Sequence, residues 1–169
     1  MKPYLLTLLL AYTTPLLLNA NPLLNPPNRY CNPRYDFCLE YPQAVFAEKH
    51  SSTNDDGLVL MSADRDVRMR VSGYYNVMGW SAAEEMEDFK AALKDRYGSK
   101  LELISQHQTA EGIEATFKVE YITIYCLLTV RGDSFVSLEI ETNLKKKFDP
   151  SHALPLLLQD IKLLHSHDE

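Results

Sequence analysis

From Lys100 to Thr142 the chain reads almost without interruption as β-strand, and that run decides the fold class. Leu101–Gln106, Ile113–Glu120, Thr123–Arg131 and Phe135–Glu141 are rich in β-branched and apolar residues. Turns at Ala110-Glu111-Gly112 and Arg131-Gly132-Asp133-Ser134 divide the first and the last pair. The break near Tyr121-Ile122 has no Gly or Pro and follows from length alone, because one strand of about twenty residues would be abnormal. Four strands joined by short turns predict an antiparallel meander.

Upstream, the alternation in Tyr35-Asp36-Phe37-Cys38-Leu39-Glu40-Tyr41, ended by Pro42, predicts a strand. Asn54-Asp55-Asp56-Gly57 is a turn cluster, followed by strands at Leu58–Met61 and Val67–Val71. In the second, Val67, Met69 and Val71 face the core, and Arg68 and Arg70 face outward to ladder with acids on a neighbouring strand. A helix is the best-specified element. Ser81 is its N-cap, Glu84 the capping-box partner and Gly98 its left-handed terminator. Met86, Phe89, Leu93 and Tyr97 form its apolar stripe, and Trp80 lies just before the cap. Asp149 and Pro150 start a final helix that buries Leu154, Leu157, Leu158, Ile161 and Leu164, after which residues 165–169 fray off as a polar tail.

The N-terminus is organised differently. Met1-Lys2, an apolar run from Tyr4 to Leu18 rich in Leu, and Asn19-Ala20 are the parts of a secretory signal, with cleavage expected after Ala20. The run is too short, and too interrupted by Tyr12, Thr13, Thr14 and Pro15, to stay in a bilayer. No Cys directly follows the small residues, so a lipid anchor is not expected. Residues 21–28 form an Asn/Pro-rich leader and residues 29–164 a single domain. Lys2 is the only charged residue among the first twenty, so cleavage moves the formal net charge from −6 to −7, which argues against nucleic acid or anionic lipid as partner.

Three cysteines remain in an oxidising compartment, and three pairings are open. A short hairpin reversing at Asn32-Pro33-Arg34 could set Cys31 opposite Cys38 at bonding distance, whereas a fully extended segment would hold them more than about 20 Å apart. Cys126, among Ile124, Leu128 and Val130, reads as a small buried apolar residue.

Chemical signatures are weak throughout. His165, His167 and Asp168 could chelate a metal, but a terminal tail has no fixed geometry. His50, His107 and His152 are scattered. The Asn54–Gly57 loop would put Ala63 where an EF-hand needs its bidentate Glu, so it reads as a turn. Arg131-Gly132-Asp133 matches an adhesion tripeptide yet is explained by the hairpin turn, and Lys145-Lys146-Lys147 reads as a solvated connection. No hydrolase, redox or nucleotide-binding motif is present, so no catalytic, cofactor-binding or metal residue is assigned and a non-enzymatic role is expected.

The element order resembles the PsbP-like domains. Arg29-Tyr30-Cys31-Asn32 leading into Tyr35–Pro42 is similar to the aromatic-rich opening strand of that family. Asn54–Gly57 with Ser62-Ala63-Asp64, and Arg131–Val136, look like its two recurrent hairpins; Arg65-Asp66 stands where a Gly-containing turn is usual. The resemblance implies an α+β fold, an α/β/α sandwich shared with the Mog family, with a mainly antiparallel sheet of six to seven strands and two principal helices. It also implies a non-enzymatic module that binds or assists other proteins, as plant members do in the thylakoid lumen. The simple signal, without an Arg- and Ser-rich transit segment, looks bacterial. No binding motif of the family is matched, so no functional residue carries over.

Two functions follow as expectations. The first is a secreted or periplasmic protein-binding module using a sheet edge or the surface around Tyr74, Tyr75 and Trp80. The alternative is an envelope protein that binds a small ligand or a metal. Oligomeric state and partner identity are left open.

Overall fold

In the computed structural model, residues 27–143 and 150–167 are described. The meander forms as expected: β6 (Glu102–Gln108), β7 (Gly112–Val119), β8 (Ile122–Arg131) and β9 (Ser134–Asn143) pair consecutively and antiparallel. Glu120, at φ 52°, turns the chain between β7 and β8 without a glycine. β5 (Val67–Tyr75) adds to β9 and carries β4 (Gly57–Met61) and β3 (Glu48–Ser51). The resulting seven-stranded sheet has the order β3-β4-β5-β9-β8-β7-β6. β3, which is short, polar and at an edge, has no apolar alternation in its sequence. β5 runs four residues beyond the expected Val71, because β9 offers partners as far as Ser134.

Each face of this sheet has its own core. α1 (Ala82–Tyr97) lays Met86 and Leu93 on Ile113, Phe117, Ile124, Cys126 and Phe135. The capping box at its start is complete: Ser81 Oγ accepts from the Glu84 amide, and the Glu84 carboxylate accepts from the Ser81 amide at 2.8 Å. Gly98 ends the helix at φ 66° and ψ −150°, a conformation reserved to glycine that differs from the left-handed cap expected.

On the opposite face, Met69, Val71, Val136, Leu138 and Ile140 meet a second, three-stranded sheet and α2 (Pro150–Gln159). β1 (Asn28–Asn32) and β2 (Phe37–Tyr41) form the opening hairpin of that small sheet, and β10 (Lys162–Leu164) pairs with the other side of β2. Phe37 and Leu39 are fully buried between the sheets, a contribution of about 1.5–3 kcal/mol each. α/β/α layering is therefore present, with the small sheet sharing one outer layer with α2.

The chain end corrects the sequence reading. α2 stops at Gln159, and Ile161 and Leu164 lie outside it, because the free side of β2 offers ladder bonds to residues 162–164. The supposed fraying tail is docked through His165 and Ser166. Tyr35 belongs to a 3-10 turn at Pro33–Tyr35 and not to the strand. Arg65 takes φ 61° and thereby replaces the glycine that the hairpin turn would usually use. The signal segment, the leader through Pro26, Asp149 and Lys145–Lys147 fall outside the described residues, as do the side chains of the first turn of α2, including His152.

Candidate functional site

One end of the large sheet brings exposed apolar and aromatic side chains beside a hydrogen-bonded loop. Here β5 ends, β8 turns into β9, the 3-10 turn crosses above, and the chain leaves for α1.

The connection from β5 to α1 is tightly held. The Asn76 amide donates to the Asp133 carbonyl at 2.8 Å, and its side chain bridges Trp80, donating to that residue's carbonyl at 2.7 Å and accepting from its amide at 2.8 Å. The Gly79 amide closes the turn on the Asn76 carbonyl. Gly79 sits at φ 66°, where only glycine is free of strain. This fixed loop presents Val77 at 85% exposure and Met78 at 67%. Two apolar side chains held in water by a hydrogen-bonded loop are an unusual use of such residues.

Tyr75 is half-exposed beside the loop and makes an edge contact with Tyr35 at 5.3 Å between centroids. Arg34 lies over both rings, 5.0 Å from Tyr35 and 5.4 Å from Tyr75. Tyr35 reaches this position because Gly73 has no side chain; a Cβ there would come within 2.4 Å of the Tyr35 ring.

The three aromatics expected to form a partner surface are thus divided. Tyr75 lies on the face shared with Tyr35. Tyr74 points to the α1 side, packs on Phe135 and donates its hydroxyl to Glu85 at 2.7 Å; burial, aided by that carboxylate, pushes its pKa up. Trp80 is half-buried against the α1 core. Val77, Met78 and Arg34 were not singled out from the sequence. The available signal was an apolar pair enclosed by Asn76 and Gly79 between a strand and a capped helix.

The docked chain end supports this region from below. Asp36, at φ 52°, accepts from His165 Nδ1 at 2.7 Å, the Ser166 amide at 3.0 Å and the Ser166 hydroxyl at 2.6 Å. Burial opposes the charge, but these donors outweigh it and hold the Asp36 carboxyl well below the usual carboxylate range. His165 Nε2 contacts the buried Arg131 guanidinium, which donates to Glu111 at 2.9 Å. Arg131 is therefore enclosed and is not displayed as part of an adhesion tripeptide.

The other candidate groups are structural. Cys31 and Cys38 are direct strand partners and form a disulfide with Cα atoms 4.1 Å apart. Cys126 is buried, and burial pushes its thiol up to about 12. The Asn54–Gly57 turn is tied down by Ser52 and by Asn32, whose side chain donates to the Asp55 carbonyl at 2.8 Å. Among the described residues, no group of three His, Cys, Asp or Glu is placed to hold a metal ion, and no helix is long and apolar enough to cross a membrane.

No protein-family model matches the chain, and neither does any curated protein by sequence. Its fold is similar to that of the cyanobacterial PsbP (CyanoP) of Synechocystis sp. PCC 6803, known from a solution structure: TM-score 0.57, 13% identity, covering 81% of this chain and 92% of that one. A crystal structure from Bacteroides thetaiotaomicron VPI-5482 aligns at TM-score 0.41 and 11% identity, over 86% of this chain and 51% of that one, a likeness that supports no argument. The fold of this chain is PsbP-like.

Proposed function

We propose that this chain is an exported, non-enzymatic accessory module that docks on another protein of the cell envelope through the β5–α1 loop. The fixed exposure of Val77 and Met78 is the observation that carries the reading. Burying the two side chains on a partner would contribute about 1.5–3 kcal/mol each, and the loop is already held in shape, so little ordering entropy opposes binding. Tyr75 and Arg34 extend the surface with an aromatic and a cation, residue types favoured at interface centres. Trp80 supports the loop from behind.

The export reading rests on residues 1–20 as a signal cleaved near Ala20, and a Cys31–Cys38 disulfide agrees with an oxidising periplasmic or extracellular setting. The PsbP-like fold supports an accessory role without naming a partner.

Affinity capture from envelope extract of the source organism tests the proposal. Wild-type protein should retain a discrete partner that the Val77→Ser/Met78→Ser variant, matched in melting temperature, does not. Equal capture by both would contradict it.

A further inference from the structure

The face of the large sheet opposite α1 is covered only in part. The small sheet and α2 pack over its middle strands, while β6 and β7 leave an open groove of about 540 Å³ beside α2, a size common to small-ligand sites. Leu154, Pro155 and Leu158 form an apolar wall, with Ile104 facing the same space.

The floor is charged. Glu114, Thr116 and Lys118 alternate along β7 and so point into the groove together. The buried Tyr125 donates its hydroxyl to Glu114 at 3.0 Å, which fixes that carboxylate in place. His107 and Glu102 stand opposite Glu114 and Lys118 on β6, yet neither Glu114 nor Lys118 makes an ion pair among the described residues. Two opposite charges, neither in an ion pair among the described residues, thus mark the ends of one apolar-walled trough.

We propose that this groove binds short free peptides. The peptide ammonium would meet Glu114, its carboxylate Lys118, and an apolar side chain would lie on the α2 wall. Four residue steps along β7 set the Cα atoms of Glu114 and Lys118 about 13 Å apart. Both side chains rise from the floor, so each ion pair forms beneath a terminus, and about 13 Å at about 3.3 Å per extended residue suits a peptide of about three to four residues. The Thr116 hydroxyl, midway between, can serve a peptide group. A fatty carboxylate would use Lys118 and the wall but leave Glu114 unanswered. The groove shares no residue with the Val77–Met78 loop, so the two proposals stand or fall separately.

Calorimetric titration of the full-length mature protein with the tripeptide Ala-Leu-Ala, its N-acetyl form, its C-terminal amide and octanoate tests this directly. Ala-Leu-Ala should bind, each blocked form should bind about tenfold more weakly, and octanoate should not match it. Glu114→Gln keeps an acceptor for Tyr125; it should weaken Ala-Leu-Ala by a similar factor and leave the N-acetyl peptide unaffected. Lys118→Met should do the same with respect to the amide. No binding of Ala-Leu-Ala at millimolar concentration, equal binding of the N-acetyl form, or tighter binding of octanoate would each overturn the proposal.

Discussion

His165 Nδ1 lies 2.7 Å from Asp36 Oδ2, joining residues 129 positions apart and closing the chain end onto the turn of its opening hairpin. Asp36→Ala removes the acceptor for three donors and deprives a left-handed position of a residue that tolerates it. We expect a loss of about 1–3 kcal/mol in urea unfolding, with Asp36→Asn intermediate.

The same contact sets an acid limit. The Asp36 carboxyl is depressed in the folded state, so its contribution is complete above the unfolded value near about 4 and is lost as pH falls toward the lower folded value. Wild-type stability should therefore decline below about pH 4 more steeply than that of Asp36→Asn. Parallel thermal melts from pH 5 to pH 2, two bounds chosen to bracket roughly the carboxylate range, compare the slopes.

Reducing the Cys31–Cys38 bond should cost about 2.5 kcal/mol, the chain-entropy value for so short a loop. Denaturation midpoints with and without dithiothreitol measure it, and a Cys31→Ser/Cys38→Ser variant should be insensitive to the reductant.

Cys126 should resist a thiol reagent such as DTNB in the native protein and react once urea unfolds it, since burial both shields the thiol and raises it to about 12. Rapid native labelling would place Cys126 at a reactive surface instead.

Glu139 is buried on the same sheet face as its cross-strand partner Arg70, whose guanidinium donates to it at 2.8 Å; Arg96 stands at 3.9 Å. Arg70→Ala leaves that carboxylate with only the distant cation and should cost about 2–4 kcal/mol. The paired Arg70→Leu/Glu139→Leu change should recover most of the loss, as a double-mutant cycle in urea would record.

Local signals were most legible where one short-range rule decided the outcome. Ser81 and Glu84 specify the start of α1 within a single turn, and alternation placed Met69 and Val71 inward with Arg70 laddered to Glu139. The reversal at Asn32–Arg34 made a Cys31–Cys38 pair geometrically available. Distant pairings were not legible. Ile161 and Leu164 fit a helical stripe, and only the open side of β2 turns residues 162–164 into a strand. His165 reads as a tail residue until Asp36 is brought beside it by that strand. The exposed β5–α1 loop is illegible in the sequence for a related reason. Tyr74 and Tyr75 stand out by residue type, while Val77 and Met78 are displayed by a loop whose shape depends on Asn76 bonding to both Trp80 and Asp133, which no local pattern announces.

A photo-crosslinking residue placed at Met78 tests the docking claim most directly, with one at Asp88 on the exposed side of α1 as control. We predict a discrete adduct in envelope extract from position 78 and none from position 88, competed away by excess wild-type protein but not by Val77→Ser/Met78→Ser. Adducts of equal yield from both positions, or none at position 78, would contradict the account.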